Sequence, residues 1–335
     1  MAPFKSTLAR SVGKLLGVFS ERDLSLRGAT FSSRYVVPPF TATGGTKITS
    51  GSNVYHVFIS NQNFVVASGT NNIELLVVGG GGGTSGTYQG GGGGGGIAYG
   101  PSVLVSSGTY AVVVGDGGAT IETPAQGNAS TPGDNSSIVL PAGTITGLGG
   151  GTGTIDAFQN SATTYIPGGS GGGNGDDNDG QAGDATQPGQ PNFGVGILHY
   201  GNPGHGPPSG NAPGSSADGG GGGGAGAGGG PSHSDSRNGG NGQSFTNFPG
   251  PVLAPALPTP DQSRFTTAVG PTGLFGGGGT GARGPTAGVP GGGGGGETPG
   301  TGGDGRNYTG GGGGGVVGGI GGTGGKGIVI VKYSS

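Results

Sequence analysis

Alternation of apolar and polar positions predicts strands in two places along this chain. Between Thr46 and Asp116, Val54 to Ile59, Asn63 to Ala67 and Ile73 to Val78 are short runs rich in valine, isoleucine and aromatics, separated by clusters of turn residues. Val103 to Ser106 and Tyr110 to Val114 form a further pair across Ser107-Gly108-Thr109, a hairpin signal. The other place is the ending, where Gly327-Ile-Val-Ile-Val-Lys-Tyr333 reads as a buried strand that closes the same sheet. Together these predict a small antiparallel sandwich or half-barrel over residues 35–120 with strand 327–333. His56 alternates within its strand and reads as a satisfied structural residue. A helical period occupies the start: Phe4, Leu8, Val12, Leu15, Leu16 and Phe19 recur at steps of three and four, with Ser6 as N-cap. Gly13 and Gly17 weaken this helix, and one so short is marginal alone, so it is expected to order by docking on a partner.

Between the two β regions the pattern gives way to glycine. Uninterrupted runs occupy 79–83, 90–96, 219–224, 276–279, 291–296 and 310–315, within a total of 95 glycines and 24 prolines in 335 residues. With hydrophobic residues at 29% and no tryptophan, no large side-chain core can form there. The plain reading of such runs is a flexible linker. Against it stand their similar lengths, their alternation with proline-bearing segments, and the apolar strand that follows them. Collagen is excluded, because no Gly-X-Y register persists. The folded alternative is a polyglycine II helix bundle: left-handed helices with three residues per turn and a rise of about 3.1 Å per residue, whose outward N–H and C=O groups bond to neighbouring strands. Ordering costs on the order of 1 to 2 kcal/mol per residue, so a bundle of many parallel runs is expected, with binding diversity relegated to the connecting segments. The fold class is thus mainly β and irregular: a short N-terminal helix, a small antiparallel β-domain and a polyglycine II module over 121–326.

Charge narrows the partners. Only 9% of the chain is charged and the net charge is −3, so no field is available to grip nucleic acid, and no apolar run approaches the 18 or so residues of a membrane span. Residues 1–34 nevertheless carry Lys5, Arg10, Lys14, Arg22, Arg27 and Arg34 against Glu21 and Asp23, net +4. They form a different kind of segment, a docking segment. An organelle transit peptide would suit its arginines and serines, but Glu21 and Asp23 follow too soon. The absence of cysteine excludes disulfides and thiolate metal sites.

Specific residues also resemble a known group. Ile73-Glu-Leu-Leu-Val-Val-Gly79 before the glycine runs, Ser106-Ser-Gly-Thr-Tyr-Ala-Val-Val-Val-Gly-Asp-Gly-Gly118, Gly133-Asp-Asn-Ser-Ser-Ile138 and Gly324-Gly-Lys-Gly-Ile-Val-Ile-Val-Lys-Tyr333 are similar to the glycine-rich domain of marine, cyanophage-like bacteriophage virion and tail-fibre proteins. The opening Met1-Ala-Pro-Phe-Lys-Ser-Thr-Leu-Ala-Arg-Ser-Val-Gly-Lys14 and Asp23-Leu-Ser-Leu-Arg-Gly-Ala29 resembles the start of structural proteins from such phages. More distantly, the runs resemble the polyglycine sandwich of T-even phage tail-tip adhesins, whose loops bind bacterial surface receptors. The resemblance implies a virion protein at the particle surface, a tail fibre or adhesin. It would be anchored to other virion proteins through residues 1–34 and would contact a bacterial surface glycan or outer-membrane protein, as a monomer or a homotrimer. A capsid decoration or head-fibre protein is the alternative. An ice-binding polyproline II bundle is a rival of another class, against which the irregular spacing of threonines argues.

Motifs for chemistry are few. Gly-x-Gly-x-x-Gly matches open no helix after a strand, and Gly168-Gly-Ser-Gly-Gly172 lacks the flanks of a nucleophile elbow. No acid, base and nucleophile set emerges, so no enzyme is expected. Gly172-Gly-Asn-Gly-Asp-Asp-Asn-Asp-Gly180 fits the start of a calcium β-roll repeat, but Asp179 replaces its apolar residue and tandem copies are missing. Asp176, Asp177 and Asp179 could make one structural calcium site, against the plainer reading of a solvated acidic loop; no other cofactor is implied. Tyr165, Tyr200, His205, Phe245 and Phe248 lie in connecting segments as receptor-contact candidates, or else cover the glycine block. Pro251 to Pro260, with four prolines, is expected to be an extended, stiff spacer.

Overall fold

The computed structural model describes residues 38–84, 90–120, 130–153, 167–175, 182–191, 196–205, 219–230, 237–297 and 300–335. Residues from Pro39 onward form one compact unit. The expected helix with Phe4, Leu8, Val12, Leu15, Leu16 and Phe19 lies outside the described residues, as do Tyr165, Asp176, Asp177 and Asp179.

Two antiparallel sheets make a sandwich. Strands β1 (Thr41–Thr43), β2 (Thr46–Ser50), β3 (Asn53–Phe58), β4 (Gln62–Ser68), β5 (Asn71–Val78), β6 (Ile97–Val105) and β7 (Gly108–Val113) coincide with the alternating region. They are joined by β8 (Ser136–Leu140), β9 (Gly143–Gly147), β10 (Leu198–Tyr200) and, at the end, β15 (Ile328–Ser334). One sheet has the order β1-β4-β7-β8-β9, the other β10-β6-β5-β15-β3-β2. The sandwich therefore recruits strands from beyond residue 120, which pattern alone assigned to the glycine module. Two-residue pairs, β11 (Gln243–Ser244) with β12 (Leu274–Phe275) and β13 (Gly300–Thr301) with β14 (Gly319–Ile320), lie within that module.

The terminal strand is central, hydrogen-bonded to β3 on one side and β5 on the other. Its unbroken apolar run follows from burial on both faces. Val329 and Val331 join Phe58, Phe64, Leu75, Val77, Ile138 and Ile145 between the sheets. Ile328 and Ile330 join Leu76, Val78 and Ile97 on the opposite face, under Phe245, Phe248, Leu253, Phe265, Val269 and Phe275. That second layer corrects the expectation of a proline spacer. The segment instead holds α1 (Gly250–Leu253), a 3-10 turn over Ala254–Ala256 and α2 (Thr259–Val269), each with a proline in its first turn. Proline lacks the N–H that a first turn leaves unbonded and has its φ already set, so closely spaced prolines can start successive short helices.

The glycine runs form a main-chain-bonded bundle. In 90–96, Gly91 and Gly94 donate to Gly220 and Gly223, Gly92 and Gly95 to Gly313 and Gly310, and Gly93 and Gly96 to Gly151 and Leu148, all at 2.7 to 2.9 Å. Every third N–H meets the same neighbour, the signature of a three-residue turn. The carbonyls of Gly91 and Gly94 accept from Gly173 and Ser170, that of Gly92 from Gly279, and those of Gly93 and Gly96 from Gly82 and Gly79. The run thus touches six neighbours. The pairing numbers also show direction: 219–224 runs parallel to 90–96, whereas 79–84, 148–153, 168–174 and 310–315 run against it. This corrects the expectation of parallel runs. Hydrogen-bonding groups radiate to all sides of such a helix, so a neighbour of either polarity can be bonded, and short connections suffice. A Cβ built on any glycine from Gly90 to Gly96 would come within 3.0 Å of another atom, which is why the runs carry no other residue.

Candidate functional site

One end of the bundle gathers the described flanks of many connections between its helices. A lateral chain of backbone bonds crosses the end remote from the sheets: Gly153 donates to Gly83, Gly91 to Gly220, Asn174 to His205, His205 to Gly221, Gly221 to Gly230, Gly230 to Asn238 and Gly281 to Arg237. Gly315 donates to Thr280 and Glu297 to Gly315, extending the same layer. The described residues that flank 85–89, 176–181, 206–218, 231–236 and 298–299 all sit in or beside it. Those that flank 121–129 sit there too, through the bonds from Thr131 to Ala119 and from Gly83 to Thr131. Threonines finish several helices here. Thr84 Oγ1 donates to the carbonyls of Gly314 and Gly322 at 2.9 and 3.2 Å, and Thr280 Oγ1 donates to Gly294. Arg283, in the left-handed region at φ 57°, turns an exposed loop at this end and accepts a hydrogen bond on its carbonyl from Arg237 Nη1 at 3.0 Å.

The contact candidates are divided by burial. His205 lies in the distal layer, and its main chain is a rung of the bundle. Tyr200 is half-buried at the sheet edge, its ring edge-on to Phe245 at 5.5 Å. Phe245 and Phe248 are core residues, 6% and 0% exposed, so as placed they cover the sheet and present no ring to a ligand. Their loop is clipped down by a polar row that pattern reading overlooked. Lys332 Nζ pairs with Glu74 Oε1 at 3.0 Å, Asn247 Nδ2 donates to Glu74 Oε2 at 2.9 Å, and the Tyr55 hydroxyl donates to the Asn247 carbonyl at 3.3 Å. The sequence signal was present: Glu74 and Lys332 are the charged residues within the two most apolar strands.

His56 and His199 are structural by geometry. His56 is fully buried, with Nδ1 2.7 Å from the Gly44 carbonyl and Nε2 3.2 Å from the Tyr333 hydroxyl. The carbonyl can only accept, so Nδ1 carries the proton and Nε2 accepts from tyrosine. Burial pushes the pKa of His56 below the ordinary imidazole value. His199 Nδ1 accepts from Gln187 Nε2 at 2.8 Å and its Nε2 donates to Pro191 at 3.2 Å; burial lowers its pKa too. Gln187, itself buried, also accepts from the Leu148 N–H and donates to the Thr146 carbonyl. Among the described residues no group of three or more His, Asp or Glu is placed to hold a metal ion.

A last surface is notable for lacking charge. The outer face of the five-stranded sheet presents Thr41, Thr43, Asn63, Val65, Thr109, Ala111, Val113, Ser137, Val139, Thr144 and Thr146, with Val113 and Val139 42% and 47% exposed.

The sequence matches the family described as a glycine-rich domain over residues 59–334, and the chain belongs to that family. No curated protein matches it.

Proposed function

We propose that this glycine-rich domain protein is a structural component of a tailed-phage particle, a tail fibre or adhesin that docks through residues 1–34 and meets the host surface with its glycine module. The observation that carries the reading is the distal layer. A stiff scaffold bonded through its main chain gathers the flanks of many connections of unequal length on one face. Such a frame suits sequence change in its connections, because its lattice is bonded through the main chain. The uncharged outer sheet face supports assembly with other protein surfaces, since packing against it strips water from no charge. The reading assigns the chain no catalysis.

The test is deletion of residues 1–34 from the copy carried by the particle. Loss of the protein from particles, with the purified remainder still folded, is the expected result. Retention of the truncated protein on particles would refute the docking role.

A further inference from the structure

On the flank of the bundle nearest the sheets lies a small polar hollow of about 120 Å³, open to solvent. Asp261 and Arg264 of α2 line one side, and Asp304, Arg306, Asn307 and Thr323 line the other. In a chain that is only 9% charged, four charged residues around one hollow stand out. One of them is a strut: Asp304 Oδ1 accepts from the Thr323 N–H at 2.9 Å and from Thr323 Oγ1 at 2.8 Å. The side chains of Asp261, Arg264 and Arg306 make no hydrogen bond or ion pair with another described residue.

The wall that carries Arg306 is stiff. Its N–H donates to Gly292 at 2.7 Å and its carbonyl accepts from Thr309 Oγ1 at 2.6 Å. Two residues on, Tyr308 is buried and held at φ 65°, a conformation a bulky residue adopts only where its surroundings enforce it. A ligand would meet a backbone already in place, so binding orders side chains alone.

We propose that this hollow binds a neutral saccharide. Two carboxylates and two guanidiniums balance in formal charge, so a simple anion or cation gains little there. A hydroxyl both donates and accepts, and a sugar ring carries several at fixed spacing. The Asp261 carboxylate accepts hydrogen bonds from hydroxyls, while Arg264, Arg306 and the Asn307 amide donate to hydroxyl oxygens. No exposed aromatic ring lines the hollow, which disfavours a nucleobase. The inference rests on the attachment reading for its biological meaning and gives that reading a ligand chemistry; a soluble-ligand assay can fail while docking through residues 1–34 stands.

The experiment titrates the full chain with a panel of neutral gluco-, manno- and galacto-configured hexasaccharides, a glucuronate hexasaccharide and inorganic phosphate, read by ligand-observed NMR. One or more neutral sugars should bind, phosphate should not displace them, and Asp261→Asn, Arg264→Gln and Arg306→Gln should each weaken binding by about tenfold, or 1.4 kcal/mol. Melting temperatures should be unchanged for Arg264→Gln and Arg306→Gln, whereas Asp261→Asn gives up the favourable interaction of its charge with the first turn of α2 and should melt slightly lower. The proposal is overturned if no neutral sugar binds, if phosphate or glucuronate binds better, or if the three variants bind like the parent.

Discussion

Gly93→Ala is the sharpest perturbation of the bundle. Alanine restricts the unfolded chain, which on its own would stabilise by about 0.4–1 kcal/mol. In the folded chain the new Cβ would overlap the carbonyl oxygen of Ser170 and lie 2.8 Å from the carbonyl carbon and oxygen of Gly171. Both are main chain, so relief requires moving a helix. The 168–174 segment is tied to 90–96 by the bonds from Ser170 to Gly94 and from Gly173 to Gly91, and Gly93 itself donates to Gly151. Stretching two or three such bonds costs about 1 kcal/mol each, and up to about 3 where a buried group is left without a partner. Against the entropic gain, a net loss of about 1–3 kcal/mol is expected, or roughly 2–6 °C in melting temperature. Gly189→Ala is the control. Nothing lies within 4 Å of a Cβ there and the backbone is not left-handed, so that variant should be neutral or slightly stabilised. Thermal and urea unfolding of the two variants beside the parent decides the matter. Equal stability of Gly93→Ala and Gly189→Ala would refute the close-packed bundle.

Other consequences follow from the buried polar groups. The folded pKa values of His56 and His199 are depressed, so between those values and about 6.5 the unfolded chain binds more protons. Their contribution is therefore complete above about pH 6.5 and is lost as pH falls through the folded values. The urea midpoint should decline as pH falls below about 6.5, and His56→Gln should make the decline shallower while lowering stability at neutral pH; an unchanged slope would contradict the assignment. Lys332→Met leaves the Glu74 carboxylate without its cation and should cost about 3 kcal/mol, the low end for a broken buried pair, because the Glu74 side chain is 23% exposed. Adding Glu74→Gln should recover most of that loss. A double variant no more stable than Lys332→Met would show that the pair does not act as a unit.

The sandwich was legible because its strands obey the period of two. Val54, Phe58, Phe64, Ile73, Leu75 and Tyr110 all sit in the core that alternation implied. The terminal strand was legible as buried, but its central place was not, since an apolar run does not say which two strands flank it. The glycine lattice followed from sterics and run length, whereas helix direction depends on where connections land. Of the two readings left open for Phe245 and Phe248, contact with a ligand or cover, their burial fits cover, and the linear pattern alone did not choose between them. The signals for cover were local: Pro260 and Asp261 in a first turn, Phe265 and Val269 four apart, and Gly270 closing α2 at φ 61°. Asp304 and Arg306 stand within glycine repeats, and nothing in the linear pattern brings them to Asp261 and Arg264, some forty residues earlier.

The central claim is that the glycine runs are an ordered solid held by main-chain bonds. Hydrogen exchange of the amides of 79–84 and 91–96 tests it most directly, since their N–H groups have no bonds within their own helices and each is bonded across to another. The account expects protection approaching that of the β15 amides, with exchange through global unfolding. Random-coil exchange rates across these runs, in a chain whose β15 amides stay protected, would contradict it.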